Sequence, residues 1–465
     1  MTAIACALLS AIGFYFSIGL GEQWWLAWLA PVPVLWLAFG DTKGWQAFLV
    51  AWAGYSLGST SILNAYLGWL PMPVLLLSLL GPGLMFAASV MGARRVQRGL
   101  GPIAGMIAFA LLWAAFDFLV SFNRAGGSVA TPAAAEVGAP MLMQSASLAG
   151  YTAITFLMGF VAAGLALSLR TRTALPAVLA VAVFAANAGF GYLRIAAPPD
   201  GHIRVALIDS DTRLHPIFHD DGKATLQTVE AYMAETAKLK GVQLVVWPEN
   251  LARVLPAWRD ETAGRLAAAA TKANATLVAG FNDVSEGQRH NMAFAAVPGG
   301  AMPAMYIKRQ LVPGVETGRG YIPGTKPALV LANGTGVEIC KDMDFQRMIR
   351  ADEVATHPRL LAVPAWDFGA DDWSHARVAV LRSVENGVPM ARAARDGLLL
   401  LNDRYGRVLA VRKTGGDFVT LTGDLPLDGR GGNTVYDRIG DAFGWGSVAL
   451  SLLLLGLAFS RRLSE

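Results

Sequence analysis

The chain has 465 residues, of which 54% are hydrophobic and only 15% charged, and its mean hydropathy is +0.43. Charges are rare over residues 1–193 and ordinary over residues 204–438, which predicts a membrane part and an α/β part. The net charge of +4 comes without a stripe of basic and aromatic residues, which excludes a nucleic-acid-binding function. Two cysteines exclude a disulfide framework, and Cys340 is expected to be a free thiol.

Eight apolar segments match, or nearly match, the length of about 17 to 25 residues that a helix needs to cross a bilayer. They are residues 3–20, 24–39, 45–63, 72–91, 102–122, 147–169, 175–193 and 442–460. The second segment is short and contains Pro31 and Pro33, so its ends are poorly defined. The pattern predicts a multi-pass α-helical membrane domain of about eight spans. Residues 1–195 would form about seven helices, and residues 438–465 a final helix with a short cytoplasmic tail.

Arginine clusters beside these segments predict the orientation in the membrane. The clusters follow the fourth, sixth and eighth segments, as Arg94, Arg95 and Arg98, then Arg170 and Arg172, then Arg461 and Arg462. With eight spans, all three clusters lie on one side of the bilayer, which the positive-inside rule makes cytoplasmic. We therefore expect a protein of the bacterial inner (cytoplasmic) membrane whose residues 196–437 lie on the periplasmic side.

Residues 196–437 alternate between strand and helix patterns. Strands are predicted at 203–209, 243–247, 276–281, 291–297, 302–308, 336–340, 360–364, 389–393, 398–402 and 408–411, and helices at 223–239, 260–273 and 374–386. Residues 291–297 and 302–308 are expected to pair as a hairpin. Buried apolar strands that alternate with helices predict an α/β layered domain.

Glu249, Lys308 and Cys340 stand at or just after the ends of predicted strands. Taken singly, they are most simply a surface glutamate, a solvated lysine and a buried cysteine. A free thiol is a weak nucleophile at neutral pH and needs a base or a cation beside it. Because α/β folds place their sites at the carboxyl ends of strands, the three residues together predict a cysteine nucleophile with a base and a cation.

The sequence around these residues is specific enough to suggest a family. Trp-Pro-Glu at 247–249, Lys-Arg-Gln-Leu-Val-Pro at 308–313 and Gly-Val-Glu-Ile-Cys at 336–340 occur in the order of the nitrilase (carbon–nitrogen hydrolase) superfamily. Residues 377–389 and 402–408 resemble that superfamily's helix after the cysteine and its late turn. The resemblance implies an αββα sandwich and a Glu-Lys-Cys triad. Membrane spans before and after such a domain resemble one branch, the bacterial apolipoprotein N-acyltransferases.

The resemblance implies a role for each residue of the triad. Glu249 would take the thiol proton, Cys340 would attack the sn-1 ester carbonyl of a phospholipid to form a thioester, and Lys308 would stabilise the oxyanion. The acyl chain would pass to the N-terminal amine of a diacylglyceryl-modified apolipoprotein. Glu316 would orient Lys308. The implied partners are the phospholipid donor, the apolipoprotein acceptor and membrane lipids, for a monomer that needs no cofactor and no metal.

The residues around the triad differ from those usual in that branch. Lys341 replaces an aromatic residue after the cysteine, whereas Asp342 keeps an acid two residues after it. Trp366 lies in an altered loop, and Arg395 replaces a neutral polar residue. We expect these four residues, with Trp247, to bind substrate or to support the site. If Lys341 and Arg395 lie at the pocket mouth, their charges would favour an acidic headgroup or acceptor.

Two other functions stay open. The chain would be a membrane-tethered nitrilase-type amidase or hydrolase if water were the final acceptor, or an N-acyltransferase for a different amine or amide. A catalytically inactive scaffold is a third class, and the intact triad argues against it. His215 and His219 could suggest a metal site, but Pro216 between them disfavours one. Asp117, inside the fifth apolar segment, is a functional candidate unless it pairs with Arg124 or faces a polar cavity.

Overall fold

The computed structural model describes residues 1–213, 220–285, 287–369, 371–427 and 431–463. It divides into two compact units, Met1–Ala197 with Arg438–Glu465, and Pro198–Asp437. The candidate metal residues His215 and His219 lie outside the described residues.

Apolar helices build the first unit. Five of them are long and apolar enough to cross a membrane: Met72–Leu100, Pro102–Val120, Tyr151–Thr171, Leu175–Ile195 and Ala442–Ser460, the last being the apolar part of the helix Ala442–Leu463. Shorter helical pieces are Leu63–Tyr66, Ala146–Ala149 and the 3₁₀ turns Pro132–Gly138 and Met143–Ser145. These helices confirm a multi-pass α-helical class for this unit.

The first three predicted spans form shorter helices. Residues 3–20 give the helix Thr2–Ser17, which at 16 residues is about 24 Å long, less than the hydrocarbon thickness of about 30 Å. Residues 24–39 split at Pro31 into Trp24–Leu29 and Val32–Ala38, because proline cannot supply the helix with a backbone donor. Residues 45–63 give Gly44–Gly58 and the 3₁₀ turn Ser59–Ile62. Among the described residues there are therefore five full-length candidate spans, where the sequence predicted about eight.

Asp117 lies in the helix Pro102–Val120 with its carboxylate hydrogen-bonded inside the unit. Its Oδ2 accepts hydrogen bonds from the hydroxyls of Thr131, at 2.9 Å, and Thr155, at 2.5 Å. Two hydroxyl donors thus hold Oδ2 of this partly buried acid, which is a structural role that such residues often have.

The described part of the second unit contains thirteen strands, together with helices. They are β1 (Gly201–Asp209), β2 (Leu244–Val246), β3 (Arg253–Val254), β4 (Thr276–Ser285), β5 (Gln288–Ala296), β6 (Ala304–Ile307), β7 (Leu329–Val330), β8 (Thr335–Val337), β9 (Leu360–Trp366), β10 (Met390–Arg395), β11 (Leu398–Asn402), β12 (Val408–Lys413) and β13 (Val419–Leu427). One sheet has the order β13-β1-β2-β4-β5-β6, with β3 also paired to β4, and the other has the order β12-β11-β10-β9-β8-β7. The predicted hairpin is confirmed, because β5 and β6 pair antiparallel.

The two sheets pack face to face, with helices outside them. Alternate residues of β1 face opposite sides, since Val205 and Leu207 join the core between the sheets while Ala206 and Ile208 join the core under the helices. The helices Gly222–Thr236 and Pro256–Ala273 cover the first sheet, and Gln346–Thr356 and Asp372–Asn386 pack on each other beside the second. This is the αββα sandwich that the resemblance to the nitrilase superfamily implied, and it confirms the α/β layered domain predicted from the strand and helix pattern.

Two of the longer elements of this unit were not predicted, and neither were the two-residue strands β3 and β7. The helix Gln346–Thr356 was missed, and so was β13, which pairs antiparallel with β1 along its whole length. Val419, Leu421, Leu425 and Leu427 of β13 alternate with polar residues or proline and pack in the core between the sheets, so the period-two signal of a strand was present in the sequence.

Gly280 of β4 allows the turn after β2 to pass close to the sheet. An added Cβ would lie 2.6 Å from Glu249 Cα and 2.8 Å from Pro248 O, so both backbones would have to move. We expect Gly280→Ala to destabilise the fold by about 1–3 kcal/mol and to lower the melting midpoint of the detergent-solubilised chain.

Gly264→Ala is the matched control. Gly264 lies inside the helix Pro256–Ala273 with no atom within 4 Å of an added Cβ, so alanine there should stabilise the helix by about 0.5–1 kcal/mol. If both variants melt at the same midpoint as the unmodified chain, the close approach at Gly280 does not constrain the turn.

Candidate active site

Glu249 is buried at the end of a turn that follows β2. Its side chain is 2% exposed, and its Oε1 accepts hydrogen bonds from Lys308 Nζ, at 2.8 Å, and from the amide of Asn291. Its Oε2 has no hydrogen-bond partner among the described residues. A buried carboxylate with one oxygen held and the other unoccupied can accept a proton from a neighbouring group.

Lys308 directly follows β6 and is as buried as Glu249. Its Nζ lies 2.8 Å from Glu249 Oε1 and 3.0 Å from Glu316 Oε2, and its side chain is 1% exposed. Burial alone would lower the pKa of Lys308, but the adjacent Glu249 and Glu316 carboxylates raise it well above its ordinary value. The ammonium is therefore a fixed positive charge beside the turn that carries Glu249.

Glu316 and Asn291 complete the shell around the lysine. Glu316 Oε2 also accepts from the backbone N–H of Val312 at 2.7 Å, and its Oε1 accepts from Asn291 Nδ2 at 2.6 Å. The same amide nitrogen donates to Glu249, so Asn291 bridges the two carboxylates. Sequence reasoning missed Asn291. The signal was a fully buried amide residue that opens the apolar run of β5, since buried amides need partners.

Cys340 lies at the start of the 3₁₀ turn Cys340–Asp344 with a backbone φ of +43°, in the left-handed region. A non-glycine residue held there costs about 1–3 kcal/mol and often marks a functional position. Its Sγ lies 3.6 Å from the carbonyl oxygen of Trp366. Burial first, and then the Glu249 carboxylate, raise the pKa of the Cys340 thiol well above its ordinary value, although Lys308 lowers it. The resting nucleophile is therefore a thiol, and it needs a base.

Asp342 connects the cysteine turn to the segment that carries Lys308. Its Oδ1 accepts from the backbone N–H groups of Arg309, at 3.1 Å, and Gln310, at 2.8 Å. Its Oδ2 accepts from the Tyr306 hydroxyl, at 2.8 Å, and from the Ile339 N–H, at 3.2 Å. Burial raises the pKa of this carboxyl to about 6, although the charge of Lys308 opposes the shift. Asp342 thus fixes the nucleophile relative to the cation.

A buried ion pair that the sequence analysis did not single out lies beside the nucleophile. Arg392 Nη1 donates to Asp367 Oδ2 at 2.8 Å, and both side chains are at most 2% exposed. The guanidinium of Arg392 lowers the pKa of the Cys340 thiol, whereas Asp367 raises it. An arginine in the middle of the buried strand β10 was a signal for such a partner.

The two tryptophans named from the sequence lie in different surroundings. Trp366 stacks on Phe368, with ring centroids 5.1 Å apart, and presents its carbonyl oxygen to Cys340. Trp247 is fully buried under the helix Gly222–Thr236. There it packs on Tyr232, with ring centroids 5.1 Å apart, and donates to Thr236 Oγ1 at 3.2 Å. Trp247 therefore anchors the turn before Glu249 from the helix-covered face.

The expectation that Arg395 lies at the pocket mouth is wrong. Its side chain is fully buried, and Nη1 donates to the carbonyl of Asn250 at 2.7 Å, so it holds the turn after Glu249. Lys341 is 10% exposed and pairs with Asp344 Oδ2 at 3.2 Å. Neither residue offers an unpaired charge at the surface, because a buried cation requires a local acceptor or counter-charge.

The chain is similar to known proteins over most of its length. Residues 204–416 match the family model Carbon-nitrogen hydrolase, and residues 9–164 match the Apolipoprotein N-acyltransferase N-terminal domain. An apolipoprotein N-acyltransferase of Geobacter metallireducens is 28% identical over 94% of this chain and 91% of its own length. One from Rhizobium meliloti is 28% identical over 86% and 77%.

Among solved structures, an amidase from Nesterenkonia sp. AN1 aligns with a TM-score of 0.40 and 24% identity, covering 47% of this chain and 92% of the amidase. The two family models match separate parts of the chain, and the relatives match most of its length. The chain belongs to the nitrilase (carbon–nitrogen hydrolase) superfamily, in its branch of apolipoprotein N-acyltransferases.

Proposed function

We propose that this protein is a membrane acyltransferase that moves an acyl chain from a phospholipid to the N-terminal amine of a diacylglyceryl-cysteine lipoprotein. The observation that carries the proposal is the buried ammonium of Lys308 between Glu249 and Glu316, beside a thiol whose pKa responds to both Lys308 and Glu249. This arrangement supports a cysteine nucleophile with a base and an oxyanion-stabilising cation.

The apolar first unit supports an acyltransferase over a soluble-type amidase. Its residues 9–164 match the N-terminal domain of the acyltransferase branch, and five helices in the part of the chain that the structure describes are long and apolar enough to cross a bilayer. The nitrilase-type α/β unit alone would serve an amidase equally well. A phospholipid substrate is dissolved in the bilayer, so an enzyme that acts on it gains from being held there.

In the first half-reaction, the Cys340 thiol gives its proton to Glu249 as its sulfur attacks the sn-1 ester carbonyl carbon. The unoccupied Oε2 of Glu249 is the acceptor that the hydrogen bonds leave available. The carbonyl oxygen becomes an oxyanion, which the Lys308 ammonium stabilises. The carbon–oxygen bond to glycerol then breaks, and the departing alkoxide takes the proton from Glu249. The products are a thioester on Cys340 and a lysophospholipid.

In the second half-reaction, the amine of the acceptor replaces the glycerol oxygen. Glu249 takes a proton from the attacking nitrogen, and Lys308 stabilises the second oxyanion as it did the first. The carbon–sulfur bond breaks, an amide forms, and the Cys340 sulfur regains its proton from Glu249. Because a thioester is at a higher free energy than an amide, transfer to an amine is favourable without a cofactor.

The nucleophile can be tested by intact mass spectrometry after adding phospholipid alone. The unmodified chain should gain one acyl mass, which hydroxylamine should remove as expected for a thioester. Cys340→Ala should gain none, and Cys340→Ser should be almost inactive because its hydroxyl is far less acidic than a thiol. Cys6→Ala removes the other cysteine and should leave the adduct unchanged. Persistence of the acyl mass on Cys340→Ala would overturn the assignment of the nucleophile.

Glu249 is expected to act on Cys340 in two ways, as a general base and as a charge that raises the pKa of the thiol. The effect of the charge can be measured by itself from the pH dependence of Cys340 alkylation by iodoacetamide, in a Cys6→Ala background. The Glu249 carboxylate raises the pKa of the thiol, so Glu249→Gln should move the alkylation midpoint to lower pH. The same variant should lose acyl transfer by about 100-fold or more, because its amide cannot act as a base.

The exposed Glu261, changed to glutamine, is the control and should alter neither measurement. An alkylation midpoint in Glu249→Gln that stays in place or rises would contradict a carboxylate within electrostatic range of the thiol.

We also propose that the catalytic unit faces the periplasm, on the basis of the arginine clusters. In a background without native cysteines, a membrane-impermeant maleimide should label Gln288→Cys in cells with a permeabilised outer membrane. It should not label Thr173→Cys, which follows Arg172, until the inner membrane is lysed. Both positions are exposed. The reverse labelling pattern would place the catalytic unit in the cytoplasm.

A further inference from the structure

Three arginines carry charges that act on Tyr321, in the loop after Glu316. Arg253, Arg289 and Arg319 all lower the pKa of Tyr321, which burial first and then Glu316 raise. Their guanidinium groups therefore lie within electrostatic range of one tyrosine hydroxyl that is also near Glu316. We call Arg253, Arg289 and Arg319 the arginine cluster.

Arg289 lies on the same strand face as the active-site amide. It precedes Asn291 by two residues on β5, and side chains two residues apart on a strand project to the same side, about 7 Å from each other. Asn291 contacts Glu249 and Glu316 directly. The side chain of Arg289 therefore begins one strand repeat away from the amide that contacts these two carboxylates, towards the β4–β5 hairpin.

The loop after Glu316 is held against Arg289 and brings Arg319 to it. The backbone N–H groups of Arg319 and Tyr321 donate to the carbonyl of Glu316, at 3.1 and 3.2 Å. Arg289 forms a β-bridge with Tyr321, and its Nη1 donates to the carbonyl of Arg319 at 3.3 Å. The N–H of Ile322 donates to the carbonyl of Arg289 at 2.8 Å. The positions of Arg289 and Arg319 are thus fixed relative to Glu316, and through Glu316 to Lys308.

Among the described residues, Arg289 has no carboxylate partner, whereas Arg253 has one. Arg253 pairs with Asp220 at 2.7 Å. By contrast, in the part of the chain that the structure describes, the contact of the Arg289 guanidinium is the Arg319 carbonyl, and no carboxylate pairs with it. Arg289 is partly exposed and Arg319 is exposed. A partly exposed guanidinium with donors to spare suits an anion that arrives with the substrate.

We propose that Arg289, supported by Arg319, binds the phosphate group of the donor phospholipid while its sn-1 ester lies at Cys340. The inference rests on the proposed function. A guanidinium presents two parallel N–H donors that match two phosphate oxygens. In a glycerophospholipid, about six covalent bonds separate the sn-1 carbonyl carbon from phosphorus, a reach of about 7 Å. That reach is similar to the strand repeat that separates Arg289 from Asn291.

The proposal moves the source of headgroup recognition from Lys341 and Arg395 to β5 and the loop after Glu316. It also changes the expected preference. Every glycerophospholipid carries the phosphate, so the arginine cluster should favour phospholipids over uncharged diacylglycerol. It should not by itself distinguish an anionic from a zwitterionic headgroup, because the contact is with the group that both share.

The test compares initial rates of thioester formation on the full chain in mixed micelles. The donors are phosphatidylglycerol, phosphatidylethanolamine and diacylglycerol with identical acyl chains. In Arg289→Gln, the preference for either phospholipid over diacylglycerol should fall about 10- to 100-fold, mainly through the donor concentration that gives half the maximal rate. Arg289→Lys should keep part of the preference, because it keeps the charge but loses the paired donors.

Arg412→Gln is the matched control. Arg412 is an exposed arginine on β12 whose Nη1 donates to the Thr420 carbonyl at 3.0 Å, and its loss should leave the preference unchanged. A preference that is the same in Arg289→Gln as in the unmodified chain would overturn the inference, as would a loss confined to phosphatidylglycerol. If the unmodified chain forms no acyl adduct from any donor, the proposed function itself falls, and the inference with it.

Discussion

The buried ammonium of Lys308 is the interaction on which the rest of the site depends. Removing one partner from a buried ion pair typically costs about 3–5 kcal/mol, because the other charge is left without compensation. Glu249 and Glu316 hold the lysine from two sides, and Asn291 holds both carboxylates. Glu249 therefore has one oxygen committed to the lysine and the other available for a proton. The same contacts that keep the lysine charged also orient the base.

The sandwich fold serves this site by bringing separate strand ends to fixed positions. Glu249 follows β2, Lys308 follows β6, and both strands belong to one sheet, whereas Cys340 follows β8 of the other sheet. Asp342 connects the two sheets, because it accepts hydrogen bonds from the segment after Lys308 and from the cysteine turn. The thiol, base and cation are thus placed by backbone elements, which gives a site with little freedom to rearrange.

The sequence predicted the elements that have strong local patterns. The strand ends at Glu249, Lys308 and Cys340 could be found because apolar runs stop there. The alternation of strands and helices predicted an α/β layered domain, and the αββα arrangement was implied by the resemblance to the nitrilase superfamily. Contacts between distant segments could not be found in this way. In the sequence, Asn291 looks like an ordinary polar residue, and only the fold shows that its amide contacts Glu249. Arg395 looks like a surface charge, and only the fold shows that its side chain is buried. The first three apolar segments, which form shorter helices than predicted, show that composition locates apolar segments better than it fixes the lengths of their helices.

The central claim is that the acyl chain passes from a phospholipid to an amine through one enzyme-bound thioester. The most direct measurement uses a phospholipid labelled in its sn-1 acyl chain and a short diacylglyceryl-cysteine peptide with a free N-terminus. In a single-turnover experiment, the account predicts that label first appears on Cys340 and then, at the rate at which the adduct decays, as an amide on the peptide. Label that leaves Cys340 as free fatty acid, with none on the peptide, would contradict the account and make the protein a hydrolase.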